Sequence, residues 1–453
     1  MQRLFCDHAF LPSGWAQNVL LTIDDRGLVA GLSVGEAWNH RDPRASGPVV
    51  PAMANLHSHA FQRAMAGLAE TSLSAEDSFW TWRDLMYRTV GILSPQDLAV
   101  VACKLYIELM RGGFGRITEF HYLHHRPDGQ AYGDRAEMSL RILEAAARTG
   151  IGLTHLPVFY AHSGFGGAEA GIGQRPFLHS VEGFLRLLDD LRAPCIASGA
   201  TLGLAIHSLR AATPEQMRDI LAAERTGGPI HIHVAEQELE VSACLDWSGR
   251  RPVEWLLDEM PVDARWCAIH ATHLTDDEIR RLAASGAVAG LCPATEANLG
   301  DGIFPAVAYL GRGGAWGVGT DSHVATSVAE ELRMLEYSQR LRDRRRNRLA
   351  DGPGASVGES LLRGAVAGGA RAAGQALCGI CPGASADLVV LDGSNPYIQA
   401  AAGNKIIDRW LFATEAQVVR DVMVAGKWTI RDREHPLEPE IDRALAKVLA
   451  KLR

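Results

Sequence analysis

The chain reads as an α/β protein: a closed (β/α)8 TIM-type barrel with a small flanking β-sandwich domain built from both chain ends. Three observations predict this. Short apolar runs ending in polar residues recur eight times between residue 51 and about 375, stretches of helical period fill the gaps between them, and strand-like segments lie outside that region at both ends. Eight βα units over ~270 residues is the size of a closed barrel.

Residues 1–50 form the N-terminal part of the flanking domain. The apolar run Asn18 to Ile23 is followed by the turn signal Asp24-Asp25-Arg26-Gly27. The barrel, 51–375, takes its strands from Val49 to Ala60, Gly115 to Tyr122, Gly152 to Tyr160, Leu202 to Arg210, Pro229 to Gln237, Trp266 to Leu274, Ala287 to Thr295 and Ala315 to His323. Helices are expected over Ser94 to Arg111 and Thr213 to Arg225, which open with Ser-Pro and Thr-Pro, and over Asp134 to Arg148 and Ser327 to Arg345. Residues 376–453 complete the flanking domain with Ala386 to Asp392 and Val418 to Trp428, then a helical tail from about Glu438. Phe61 to Leu93 is a long insertion after the first barrel strand, and the arginine run Arg340 to Arg348 reads as a solvated helix face.

The chain has 453 residues, with 45 Lys+Arg against 53 Asp+Glu, a net charge of −8, and 47% hydrophobic residues. This composition excludes disordered and fibrous classes, and the acidic balance speaks against a nucleic-acid or anionic-membrane partner. No secretory leader and no membrane-length apolar stretch is visible, so a cytoplasmic protein is expected. The eight cysteines are read as reduced thiols, with Cys378-Gly-Ile-Cys381 taken as a turn between domains.

Catalytic groups of such a barrel belong at the C-terminal ends of its strands. His57 and His59 close the first run and, two residues apart on a strand, face the same side, which is a metal-ligand geometry. His231 and His233 with Glu236 close the fifth run, His270 lies in the sixth, and Asp321 ends the eighth. Imidazoles plus one carboxylate suit a divalent transition metal that keeps a position open for water. His233 sits nearer its strand's end than His231, and His270 lies inside its run whereas His273 falls at the exit, so His233 and His270 are assigned to the site. His323, His124 and His125 are read as exposed or hydrogen-bonding loop histidines. No lysine occurs between Lys104 and Lys405, which rules out a carboxylated-lysine bridge within the barrel and favours a single metal.

This pattern resembles the amidohydrolase superfamily, specifically its mononuclear deaminase branch, over essentially the whole chain. The strings Met53 to Gly67, Ser78 to Arg83 and Ile206-His207-Ser208-Leu209-Arg210 are similar to those of the N-formimino-L-glutamate deiminases of histidine degradation. The resemblance implies hydrolysis of a formimino C=N bond, giving N-formyl-L-glutamate and ammonia. It implies one divalent metal per chain, most simply Zn2+, held by His57, His59, His233 and Asp321. Asp321 and His270 take the water's proton and Glu236 protonates the imine nitrogen. Gln62, Arg83, Tyr122, His207 and Arg210 resemble the family's contacts to a small substrate with two carboxylates, Arg210 foremost because a guanidinium grips a carboxylate bidentately. A homodimer is expected on the same ground. Trp80 and Trp82 are left out of the site.

Two other readings stay open at this point. A nucleobase-type deaminase, acting on guanine or a thioadenosine derivative, shares the same apparatus, but Arg210 with His207 has little to do for a neutral purine. A non-catalytic scaffold would be expected to have lost ligand positions that here are all filled.

Overall fold

The computed structural model of the chain describes residues 1–71, 79–414 and 416–452, so the front of the Ser78 to Arg83 string, including the Trp80 side chain, lies outside the described residues. Eight parallel strands form the barrel: Met53–Ser58, Phe114–His121, Gly152–Phe159, Leu204–Ser208, Ile230–Val234, Trp266–His270, Val288–Leu291 and Ala315–Val318. They pair in chain order. Closure comes from a parallel bridge between Ser58 and Asp321, just past the first and eighth strands. At that seam Asp321 N donates to His57 O at 3.1 Å and His59 N to Asp321 O at 3.2 Å, so ring closure and the placing of three functional side chains are one event.

The strands are buried on both faces and read as near-continuous apolar runs, as parallel strands under helices must. The helices begin where the sequence places caps. Ser94, Thr213 and Thr275 accept hydrogen bonds from backbone N–H groups of their first turns, and each forms a capping box.

The flanking unit is one seven-stranded sheet drawn from both chain ends, whose core joins Leu4, Val19 and Leu21 to Leu388, Val390 and Met423. The outer N-terminal strand Val29–Val34 comes back against the C-terminal segment through a Leu28–Ser385 bridge. The first predicted run divides here. Val49–Pro51 pairs in the flanking sheet and Met53–Ser58 in the barrel. The terminal helix Glu438–Leu449 lies along the barrel helix Pro95–Arg111, with Lys104 Nζ 2.9 Å from Glu438 and 2.6 Å from Asp442. In the arginine run, Arg340 pairs with Glu336 and Arg348 with Asp343, near the end of helix Val328–Asp343. No helix among the described residues is long and apolar enough to cross a membrane.

Behind the second and third strands, His121, His124, His125, His155 and His179 pack ring against ring at centroid distances of 4.5 to 6.2 Å. His124 Nε2 lies 3.0 Å from Val158 O and His125 Nε2 2.9 Å from Leu178 O. Burial first, and then the neighbouring imidazoles, pull these rings below the ordinary histidine pKa, His121 and His179 to about 3. Each therefore stays neutral in the fold while its unfolded counterpart takes up a proton below about pH 6.5, so stability is complete above that pH and is lost as pH falls toward 3. Buried Glu119, Glu236, Asp301 and Glu331, whose carboxyls are raised, and His270, whose ring is raised, work in the opposite direction but are fewer than the buried histidines held neutral. Metal-free protein in chelator should be less stable at pH 5 than at pH 6.5. Urea midpoints across that range test this; a midpoint that holds or rises would show that the carboxylates dominate.

Candidate active site

The C-terminal ends of the strands open into a cavity of about 570 Å3, part of it in contact with solvent. His59, Gln62, Arg83, Tyr122, His207, Arg210, His233, Glu236, His270 and Asp321 all line it, and His57 lies just beneath. The structure thus brings together every residue that the sequence places at the site. Several sit where the backbone turns sharply out of a strand. Ala235, His270, Ala271, Asp321 and His323 have φ between 46° and 65°, a region that costs a non-glycine residue about 1–3 kcal/mol and persists only where the surroundings impose it. Gly319 keeps the floor close-packed, because a Cβ there would lie 2.6 Å from His57 Cβ.

The donor set can be built atom by atom. His59 Nδ1 lies 2.9 Å from Phe120 O, which fixes the proton on Nδ1 and leaves the Nε2 lone pair aimed at Asp321 Oδ1, 3.3 Å away. His57 Nε2 is 3.5 Å from the same oxygen and 3.0 Å from His233 Nε2. Burial, then His59, pushes His57 down to about 3, and burial likewise lowers His59 and His233, so all three imidazoles are neutral. Burial opposes the charge on Asp321, but the histidines around it hold its carboxyl well below the carboxylate range. Three neutral imidazoles and one anionic carboxylate converge within a few ångströms of one another, which is the chemistry of a divalent-cation site.

Beneath this set runs a supporting network. Ser58 Oγ donates to Glu119 at 2.6 Å, Ala60 N donates to the other Glu119 oxygen at 2.7 Å, and Ser58 Oγ also lies 3.0 Å from His323 Nε2. His323 Nδ1 is 2.7 Å from Thr320 Oγ1, whose partner is Asn55. His323 is therefore a fully buried strut, in keeping with its reading as a hydrogen-bonding histidine. His231 lies deeper on its strand, 2.8 Å from Ala372 O, and stays out of the donor set.

His270 stands among three carboxylates. Its Nε2 is 3.6 Å from Glu236 and 3.8 Å from Asp321, and its Nδ1 is 3.3 Å from Glu296. Burial works against its charge, but Glu236, Glu296 and Asp321 outweigh it and raise the ring to about 10. Glu236 is 5% exposed, and burial, only partly offset by His270, raises its carboxyl. Both carboxylate oxygens of Glu240 accept from the backbone, from Ala235 N and Glu236 N at 3.1 Å each, holding the turn that carries Glu236.

On the opposite wall, Gln62 Nε2 donates to Tyr122 OH at 2.8 Å while its buried Oε1 has no hydrogen-bond partner among the described residues and can accept from a bound N–H. The Tyr122 ring is 4.9 Å from His59, and His207 is 4.9 Å from His233. Arg83 comes from helix Phe79–Val90 of the insertion and Arg210 from the exit of the fourth strand. Sequence reasoning left out Trp82, which lines the cavity, and missed Glu296 and Asp301. Those two acids follow the seventh strand within a few residues, and their position after Pro293 at a strand end was the available signal.

Comparison with known proteins gives three further findings. The family described as the amidohydrolase family matches residues 49–429. The formimidoylglutamate deiminase of Pseudomonas aeruginosa is 53% identical over 452 residues, covering all of both chains, and a 5-methylthioadenosine/S-adenosylhomocysteine deaminase of Natronomonas pharaonis is 26% identical over 85% of this chain and 82% of its own. The crystal structure of an amidohydrolase from Brucella melitensis superposes with a TM-score of 0.96 at 48% identity over all of both chains.

Proposed function

The chain belongs to the amidohydrolase family, and from that membership and the cavity's geometry we propose that it hydrolyses N-formimino-L-glutamate to N-formyl-L-glutamate and ammonia, a step of histidine degradation. The protein is a metal-dependent hydrolase acting on a non-peptide C–N bond. The observation that carries the substrate is the meeting of two guanidiniums, Arg83 and Arg210, with a cation-binding donor set in one cavity. Carboxylates suit the two guanidiniums and an amidine suits the donor set, whereas a neutral purine offers the arginines no anion to grip.

His57, His59, His233 and Asp321 are the residues to hold the metal, one per chain, and the three-imidazole, one-carboxylate set suits zinc. Bound there, a divalent cation supplies Lewis acidity that brings the pKa of water toward neutrality. The chain's own groups do the rest. Asp321 Oδ2 accepts the proton of the attacking water, and His270, protonated among its carboxylates with Nε2 3.8 Å from that oxygen, orients it. Glu236, whose carboxyl burial keeps in its acid form up to higher pH than usual, protonates the imine nitrogen and then assists ammonia to leave. Gln62 Oε1 accepts from the amidine N–H, and His207 and Tyr122 border the reacting carbon.

The same reading takes the enzyme to be cytoplasmic and homodimeric. Arg210→Met tests the substrate assignment. On N-formimino-L-glutamate the variant should raise KM by ~10–100-fold, the loss expected when a charged pair to a carboxylate is removed, with bound metal unchanged. An unchanged KM would remove Arg210 from substrate recognition.

A further inference from the structure

His270 leaves the sixth strand at a strained turn, with φ 65° at its own position and 47° at Ala271. That backbone fixes where the imidazole starts, and packing fixes the plane of the ring. It stacks on His233 at a centroid distance of 5.5 Å, 22° from parallel, with His57 edge-on at 6.0 Å. Neither constraint chooses between the two orientations within that plane. A half-turn about the Cβ–Cγ bond keeps the stack and puts the carbons Cδ2 and Cε1 where Nδ1 and Nε2 now stand. The choice matters, because it is Nε2 that faces Glu236, at 3.6 Å, and Asp321, at 3.8 Å.

One contact makes the choice. Nδ1 lies 3.3 Å from Glu296 Oε1, and of the three carboxylates around the ring this is the one within hydrogen-bonding distance. A carboxylate oxygen accepts, so the proton sits on Nδ1, and a flipped ring would offer only a C–H there. Glu296 is itself held. The same oxygen accepts from Cys292 N at 2.8 Å, and Glu296 N donates to Cys292 O at 2.8 Å, a two-way clasp where the seventh strand, Val288–Leu291, turns into helix Pro293–Leu299. Just past that helix, Asp301 N donates to Glu296 O at 2.9 Å. His270, Cys292 and Glu296 are 1%, 0% and 5% exposed, so bulk water does not compete for these bonds.

We propose that Glu296 is the positioning residue for His270: it holds Nδ1–H and so turns Nε2 toward Glu236 and Asp321, where the attacking water is oriented. The proposal rests on the role given to His270 in the hydrolysis above. Glu296 is not among the residues that line the cavity, so its effect passes through His270 to kcat and leaves substrate binding alone.

Three substitutions separate reach from charge. Glu296→Gln keeps the length of the side chain and a carbonyl oxygen that can accept from both Cys292 N and His270 Nδ1. Glu296→Asp keeps the carboxylate but stops one methylene short of the ring, and Glu296→Leu removes the acceptor. On N-formimino-L-glutamate, Glu296→Asp and Glu296→Leu should each lower kcat ~10²-fold, the cost of a misplaced reacting group, with KM within about threefold and bound metal unchanged. Glu296→Gln should stay within about tenfold of wild type. If Glu296→Leu does not fold, the comparison of Glu296→Asp with Glu296→Gln decides. The role is overturned if Glu296→Asp turns over within about threefold of wild type, if Glu296→Gln is as slow as Glu296→Asp, or if the loss falls on KM or on bound metal. An active wild type with unmoved variants removes this role alone. A wild type that releases no ammonia from the formimino compound fails the functional reading, and the role falls with it.

Discussion

Glu236→Gln is expected to lower kcat by ~10²–10⁴-fold with the metal content of the chain unchanged. Glutamine keeps the size and one carbonyl oxygen of the side chain but cannot cycle a proton. The turn that carries residue 236 is held by Glu240 through two backbone hydrogen bonds, which the substitution leaves intact, so the loss reports on proton transfer and not on a displaced loop. The donor set does not include Glu236, which separates this variant from those that empty the site. Steady-state kinetics beside metal analysis check it. A variant within about tenfold of wild type would assign the proton step to another group, with His270 the first to examine.

Asp321→Asn is expected to lose activity by at least ~10³-fold, this time together with bound metal. Asp321 is the one carboxylate of the donor set. It is 3.3 Å from His59 Nε2, 3.5 Å from His57 Nε2 and 3.8 Å from His270 Nε2, so it is placed both to hold a cation and to pair with the protonated His270. Asparagine preserves the shape and removes the anion. Asp321 also closes the barrel through backbone hydrogen bonds to His57 and His59, which the substitution leaves in place, so the melting temperature of chelator-treated protein should change far less than activity. Retention of one tightly bound metal per chain would contradict the assignment of this residue as ligand.

The parts of this site that repeat a strand's period are legible in the sequence. His57 and His59 announce themselves by their two-residue spacing, and His233 is separable from His231 by depth along one strand, where His231 Nε2 lies 2.8 Å from Ala372 O. What escapes is decided by the folded chain. The run from Val49 to Ala60 reads as one strand because both of its halves are buried, yet the chain passes from one sheet to the other after Pro51. The sixth strand ends at His270, short of the apolar run, because φ turns positive there. Glu296 and Asp301 carry no periodicity; their place after a strand end is a weak signal, and burial beside His270 and Glu236 is what marks them as part of the cavity's electrostatics. Trp82 and Tyr87 come from the insertion, where aromatic residues have many ordinary uses, and Tyr160 ends the third run without a ligand spacing to mark it.

The central claim is that this cavity removes ammonia from a formimino amino acid. Purified protein of measured metal content should be supplied in parallel with N-formimino-L-glutamate, guanine and S-adenosylhomocysteine, with ammonia and the organic product both identified. Rapid release of ammonia from the formimino compound alone, with N-formyl-L-glutamate formed in equal amount at about one metal per chain, is the result predicted. Ammonia released only from guanine or S-adenosylhomocysteine would contradict the account, leaving the barrel and its donor set but not the substrate.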